Sequence, residues 1–235
     1  MSRVASRRKR IIDRLSDGKP SLVGAVLLCQ VATDITGTTG AGIALLGREA
    51  AQSLAGASDT VAAHIERIQV EVGDGPGVSA YCNDRAVSEP DLAHPAVPLW
   101  NGYTPLAIQA GVRAVFAFPL RVGSAHLGAL TLHRDEPGPL GEEQHSDAVV
   151  MAEMAAEVVL QMQADAPPET VATELTSGAN TRAVVHQAAG MIAGQLDISV
   201  ARALIELRAY AFASSRRLVA VAEDVVDRRL SFAPV

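Results

Sequence analysis

The apolar positions of the chain change period several times, and each change marks an element. From Leu22 to Thr33 they follow helical spacing and predict a buried helix ending near the Thr-Gly cluster at Thr36 to Gly40. Ala41 to Leu46 and Ala50 to Ala55 read as strands joined by a polar turn at Gly47-Arg48-Glu49. Thr60 to Val72 is amphipathic at helical period; Gly73-Asp74-Gly75-Pro76-Gly77 breaks it, and a short helix continues through Tyr81. Pro90 to Pro105 reads as loop, with a short helix from Thr104 to Gly111. Val112 to Val122 and His126 to Arg134 flank Gly123-Ser124-Ala125 and predict a β-hairpin. On its second strand Leu127, Ala129, Thr131 and His133 face one way, and Gly128, Leu130, Leu132 and Arg134 the other.

From Glu142 to Gln163 there is neither Gly nor Pro. Ala148, Ala152, Ala155, Val159 and Met162 form a heptad-type stripe on a helix of about six turns, with Met151, Met154 and Val158 beside it. Either one stripe packs on the domain and the other on a partner chain, or the two form one wide buried face. Asp165 to Glu169 is a linker, Ser177-Gly178 a further break, and three short helices follow. The first is capped by Asn180 or Thr181 and turns Val184, Val185, Ala188, Met191 and Ile192 inward. Its Gly190 and Gly194 each cost about 1 kcal/mol of helix propensity, which suits the close approach of another backbone. Ser199 caps the second helix, with Ala203, Leu204, Leu207 and Ala211 inward. Ser214 or Ser215 caps the third, with Leu218, Val221, Ala222 and Val225 inward.

Strands joined by a hairpin rather than by crossover helices predict an α+β fold: an antiparallel-sheet domain, a long linker helix and a C-terminal three-helix bundle. The boundaries read as a basic lead-in over 1–19, the α+β domain over 20–140, the linker helix over 141–164, a linker over 165–178 and the helical module over 179–232.

A chain of 235 residues suits a medium domain plus a small one. It is 49% hydrophobic but only 3% aromatic, so the core is aliphatic and no aromatic platform exists for stacking single-stranded bases. Cys29 and Cys82 form no CxxC pair, which suits a reducing cytoplasm. The start is basic (Arg3, Arg7, Arg8, Lys9, Arg10), but Asp13, Asp17 and Pro20 separate it from the apolar run Leu22 to Ala32. That run lacks a clean cleavage site and is too short to span a bilayer, so it reads as a buried helix, and no membrane partner is expected. The net charge of −6 is uneven: residues 170–235 hold seven Arg against six Asp or Glu, and the acidic excess lies upstream. An all-Arg cation supply suits an effector that touches phosphates.

Catalytic chemistry finds little support. The glycine string at Gly73 to Gly77 has no following GK[ST], and Pro76 lacks the N–H a phosphate cradle needs, so it reads as a backbone turn. His126 and His133 fall on opposite strand faces, a poor geometry for metal. Cys82 with His94 lacks a third orienting group, and no carboxylate pair stands out. No catalytic residue, metal or cofactor is expected, and the chain reads as a non-enzyme. Val115, Phe116, Ala117 and Leu130 either line a small-ligand pocket or are simply core.

The C-terminal module resembles the ANTAR domain of transcription-antitermination regulators. Arg182, Gln187, Ala188, Gly190, Met191 and Ile192 carry the likeness, then Ser199, Ala203, Leu207, Arg208 and Ala211, then Arg216, Arg217, Leu218 and Ala222, all in ungapped register. The upstream domain resembles a GAF sensory domain through Gly73 to Gly77, Glu89-Pro90-Asp91 after a short strand at Ala86-Val87, Gly111-Val112-Arg113, Phe118 to Arg121, and His126 to Leu130. GAF followed by ANTAR is an order common in actinobacterial regulators. The resemblance implies a cytoplasmic homodimer whose ANTAR module holds RNA stem-loops so that a terminator cannot form, while the GAF-like domain senses a small ligand or sets the dimer. It implies RNA contact by Arg182, His186, Arg208, Arg216 and Arg217. Arg182, His186 and Ala189 share one helix face, and Ala189 stands where family members commonly carry Lys; Gln195 and Ser214 also stand where cations are common. The alternative is a sensor or scaffold acting on a protein partner, its ANTAR-like module having lost RNA contact. DNA binding is weaker, because no helix rich in Asn, Gln and Arg is present to read bases.

Overall fold

The structure is a computed structural model. It describes residues 3–16, 24–46, 53–95, 100–165, 184–214, 216 and 218–232, in two compact units that divide between residues 167 and 168. The caps Asn180 and Thr181 and the breaks at Pro167-Pro168 and Ser177-Gly178 lie outside the described residues.

The larger unit is α+β. Strands β1 (Gly40–Leu45), β2 (Ser53–Ala57), β3 (Val87–Glu89), β4 (Ala114–Val122) and β5 (Ala125–Arg134) form one antiparallel sheet in the order β2-β1-β5-β4-β3. The expected hairpin is β4–β5, closed where Val122 pairs with Ala125. Because β5 lies between β1 and β4 with helices on both sides, residues 128–133 are all buried. Its alternation therefore separates two dry faces, not a wet one from a dry one.

One sheet face carries Ala41, Ile43, Phe116, Phe118, Leu130 and Leu132. Helices α2 (Gly24–Thr36) and α6 (Glu142–Asp165) cover it, and α1 (Arg3–Ser16) packs on those two helices. The basic start is thus a docked helix: Ile11 is fully buried, and Arg7 and Arg10 converge on Asp147 at 2.5 and 2.6 Å. Arg7 also pairs with Glu143, and Arg8 with Glu157 at 2.5 Å. On α6, Ala148, Met151, Ala152, Met154, Ala155 and Val159 all enter this core, and only Met162, 37% exposed, stays outside. The division into a domain stripe and a partner stripe is corrected to one wide face. The cause is geometric: α6 lies against the sheet, α2 and α1 together, so more than half of its circumference is covered.

Helices α3 (Thr60–Val72), α4 (Pro76–Asn83) and α5 (Thr104–Gln109) lie on the other side. Asp59 caps α3, its Oδ1 accepting from the Ala62 N–H at 2.9 Å. Gly73, at φ 67, ends it in the left-handed conformation, and Pro76 opens α4. The glycine string is therefore a helix-to-helix joint. Val115 packs with this side, whereas Phe116 and Leu130 pack against α2 and α6. Strand alternation puts Ala117 with Val115, so the four residues considered as one pocket lining divide between two faces and are all buried core.

The smaller unit is a bundle of α7 (residues 184–196), α8 (Val200–Ala213) and α9 (Leu218–Val226). Ala188, Ile192, Ala203, Leu207, Val221, Ala222 and Val225 are fully buried at its centre. Ser199 caps α8, its Oγ accepting from the Arg202 N–H at 3.3 Å. Ser214 does not cap α9: its hydroxyl donates back to the carbonyls of Tyr210 and Ala211 at 2.7 and 3.2 Å, closing α8 instead; Ser215 lies outside the described residues. No described residue comes within 4 Å of a Cβ built on Gly190 or Gly194, so no close backbone approach among the described residues explains them. After α9 the chain turns at Arg228 (φ 60), bringing Leu230 and Phe232 back onto the core. The Phe232 N–H donates to Oε1 of Gln195 at 2.8 Å, and its ring meets Tyr210 at 5.3 Å. Among the described residues, no helix is long and apolar enough to cross a membrane.

Candidate functional site

In the smaller unit, bundle packing decides which cations reach the surface. The inward stripe of α7 is two residues wide, Val185 with Ala188, Ala189 and Ile192. Ala189 is therefore fully buried, while His186 is exposed. This corrects the shared face: α7 turns 189 into the core, where a cation would have to run its stem out past neighbours. Arg182 and Arg217 lie outside the described residues. Arg208 on α8 is half-buried. Arg216, exposed between α8 and α9, bonds Oδ2 of Asp224 at 2.5 Å. Arg229 takes the other oxygen of Asp224 at 2.6 Å and reaches Asp227 at 2.7 Å. Arg216, followed by Arg229, holds the Asp224 carboxyl below the usual carboxylate range. Arg202 pairs with Glu206 at 3.2 Å, one helical turn on. Arg228 is exposed and has no ion pair among the described residues.

The larger unit holds a buried polar cluster between α3 and the sheet. Glu66 and Gln69, three apart on the inward face of α3, are each 1% exposed. Gln69 donates from Nε2 to Oε1 of Glu66 at 3.0 Å and to the Thr131 hydroxyl at 3.4 Å. Its own Oε1 accepts from the Gly77 N–H at 2.6 Å, tying α3 to the first turn of α4. Glu66 Oε2, the Tyr103 hydroxyl and His133 Nδ1 are buried without a hydrogen-bond partner among the described residues. Burial pushes the Glu66 carboxyl up to about 7, against the lowering pull of Thr131 and Gln69. Burial, then Glu66, raises the Tyr103 phenol well above its ordinary value, and burial keeps His133 below its own. Cys29, on α2, is raised to about 12 by burial and by Glu66, which makes it an inert thiol. Among the described residues, no group of three His, Cys, Asp or Glu side chains is placed to hold a metal.

The family model for the GAF domain matches residues 25–161, more than half of the chain, from the start of α2 to near the end of α6. The chain belongs to the GAF family. The model for the ANTAR domain matches residues 173–226, covering all three helices of the smaller unit. Sensory module and regulatory module thus occur in one chain. Among solved structures it is similar to the GAF domain of a phosphoenolpyruvate-protein phosphotransferase from Coxiella burnetii. That likeness has a TM-score of 0.54 at 14% identity and covers 68% of this chain and 95% of that one. The GAF domain of the Acinetobacter phosphoenolpyruvate-protein phosphotransferase gives a TM-score of 0.51 at 13% identity, over 72% of this chain and 99% of that one. These likenesses establish the fold alone. No curated protein matches the chain.

Sequence reasoning missed two features of the GAF and ANTAR domains. In the GAF domain, Glu66 and Gln69 share the inward face of the amphipathic helix α3 with Ala62 and Ile65. That spacing was the available signal. In the ANTAR domain the missed residue is Asp224, whose position in the last turn of α9 allows it to collect arginines from both flanks. No local pattern announces a pairing across the turn between α8 and α9.

Proposed function

We propose that the chain is a cytoplasmic, non-enzymatic regulator whose ANTAR domain binds RNA stem-loops and so prevents a transcription terminator from forming. The observation that carries this reading is the ANTAR match over 173–226 on a compact helical bundle with Arg216 and His186 at its surface. The GAF domain senses a small ligand or sets a homodimer. RNA contact is electrostatic at its base, because each phosphate neutralised by an Arg releases counterions.

The test is binding of a two-hairpin RNA by the full chain at several salt concentrations. Affinity is expected to fall steeply with salt, and an Arg216→Glu, Arg217→Glu variant is expected to lose at least about tenfold. Undiminished binding by that variant overturns the assignment of these residues.

A second reading, a scaffold acting on a protein partner, draws support from the burial of Ala189 and from the carboxylate that already holds Arg216. It expects no salt-dependent RNA binding at all.

A further inference from the structure

The ANTAR domain has a cleft on the side of α7 where the chain returns after α9. It is about 410 Å³ and is lined by Met191, Gly194, Gln195, Arg228, Leu230 and Ser231. We propose that this cleft seats an unpaired RNA base, with Arg228 gripping the adjoining phosphate. The inference rests on the RNA-binding reading and places a contact that the ANTAR resemblance did not supply.

Size, lining and charge point the same way. The cleft is an open groove, wide enough for one base to lie against its walls. Met191 and Leu230 give apolar walls for the base faces. Gly194 leaves one wall without a side chain, since a Cβ there meets nothing within 4 Å. Oε1 of Gln195 is already taken by the Phe232 N–H, which leaves its amide nitrogen to donate to a base edge.

Arg228 is the distinctive member. Arg202, Arg216 and Arg229 are each held by a carboxylate, whereas Arg228 is exposed at the rim with no ion pair among the described residues. It also stands in the left-handed conformation at φ 60, which a residue with a Cβ adopts at a cost and glycine adopts freely. Fold stability alone would favour glycine at this turn. An arginine there is explained by something its guanidinium does outside the bundle.

That conflict gives a clean test, because the variant that removes the cation also relieves the backbone. Full-length wild type, Arg228→Gly and Arg228→Lys are titrated with a pool of two-hairpin RNAs with randomised loops, over a range of salt. Their thermal melting is followed in parallel. Arg228→Gly is expected to melt no lower than wild type, to bind about tenfold more weakly, and to show a salt slope shallower by about one. Arg228→Lys is expected to regain the slope and only part of the affinity, because a lysine lacks the planar fork that grips a phosphate with two parallel bonds. Unchanged affinity and slope in Arg228→Gly, with wild type binding normally, overturn the cleft and leave the RNA reading standing. Absence of wild-type binding overturns both.

Discussion

Glu66 lies over Gly42 so closely that a Cβ built on Gly42 would stand 2.5 Å from Cγ of Glu66. β1 thus gives up a side chain so that α3 can direct a carboxyl into the sheet–helix interface. Gly42→Ala forces the two apart and is expected to cost about 1–3 kcal/mol, the usual range for overpacking. The cost should shrink when Glu66 is shortened. A double-mutant cycle in urea with Glu66→Ala is expected to show coupling above about 0.5 kcal/mol, and strict additivity would mean that the contact is not the cause.

The buried carboxyl also sets a pH dependence. Glu66 is raised from 4.5 to about 7 in the folded protein, so its contribution is fully present below 4.5 and is lost as pH rises through 7. The shift corresponds to a loss on the order of 3 kcal/mol across that window. Glu66→Gln keeps a carbonyl to accept from Gln69 and never ionises. Its melting temperature is expected to exceed that of wild type at pH 8 and to converge with it near pH 5. His133, kept neutral by burial, pulls the other way below 6.5 but is common to both proteins. An equal gap at both pH values would refute the assignment to Glu66.

Most of the fold was legible because local chemistry and tertiary packing agreed. The span Thr60–Val72 was readable to the residue, since apolar spacing, the Gly73 stop and Pro76 all coincide there. The β4–β5 hairpin followed from one glycine turn between apolar runs. What escaped depended on partners distant in sequence. The two stripes of α6 can be assigned to one face only when α1 and α2 are known to lie beside it. The burial of Glu66 and Gln69 needs β1 and its Gly42. The surroundings of the candidate RNA residues were the least legible, because exposure and ion pairing, as at Arg216 with Asp224, are not written in spacing.

Asp147 joins α1 to the GAF domain, since Arg7 and Arg10 both end on it. Asp147→Asn removes the shared charge and is expected to loosen α1 selectively. Limited trypsin digestion should then cut at Arg7 to Arg10 severalfold faster, with the β-sheet core resistant. Cleavage at the wild-type rate would show that Ile11 and the pairs with Glu143 and Glu157 hold the helix without Asp147.

Asp224 restrains two arginines of the ANTAR domain. Asp224→Asn releases Arg216 and leaves Arg229 paired with Asp227 alone, and RNA affinity is expected to rise about three- to tenfold, with a salt slope steeper by about one. The Arg216→Ala, Asp224→Asn double variant should lose part of that gain. A fall in affinity would assign Asp224 a direct part in holding the RNA-binding conformation.

The most direct test of the central claim is crosslinking of the full chain in cells, followed by sequencing of the attached RNA. The account expects reads concentrated on adjacent stem-loops just upstream of terminators, and their loss in the Arg216→Glu, Arg217→Glu variant. Recovery of no RNA above an untagged control, with crosslinks only to protein, would contradict it.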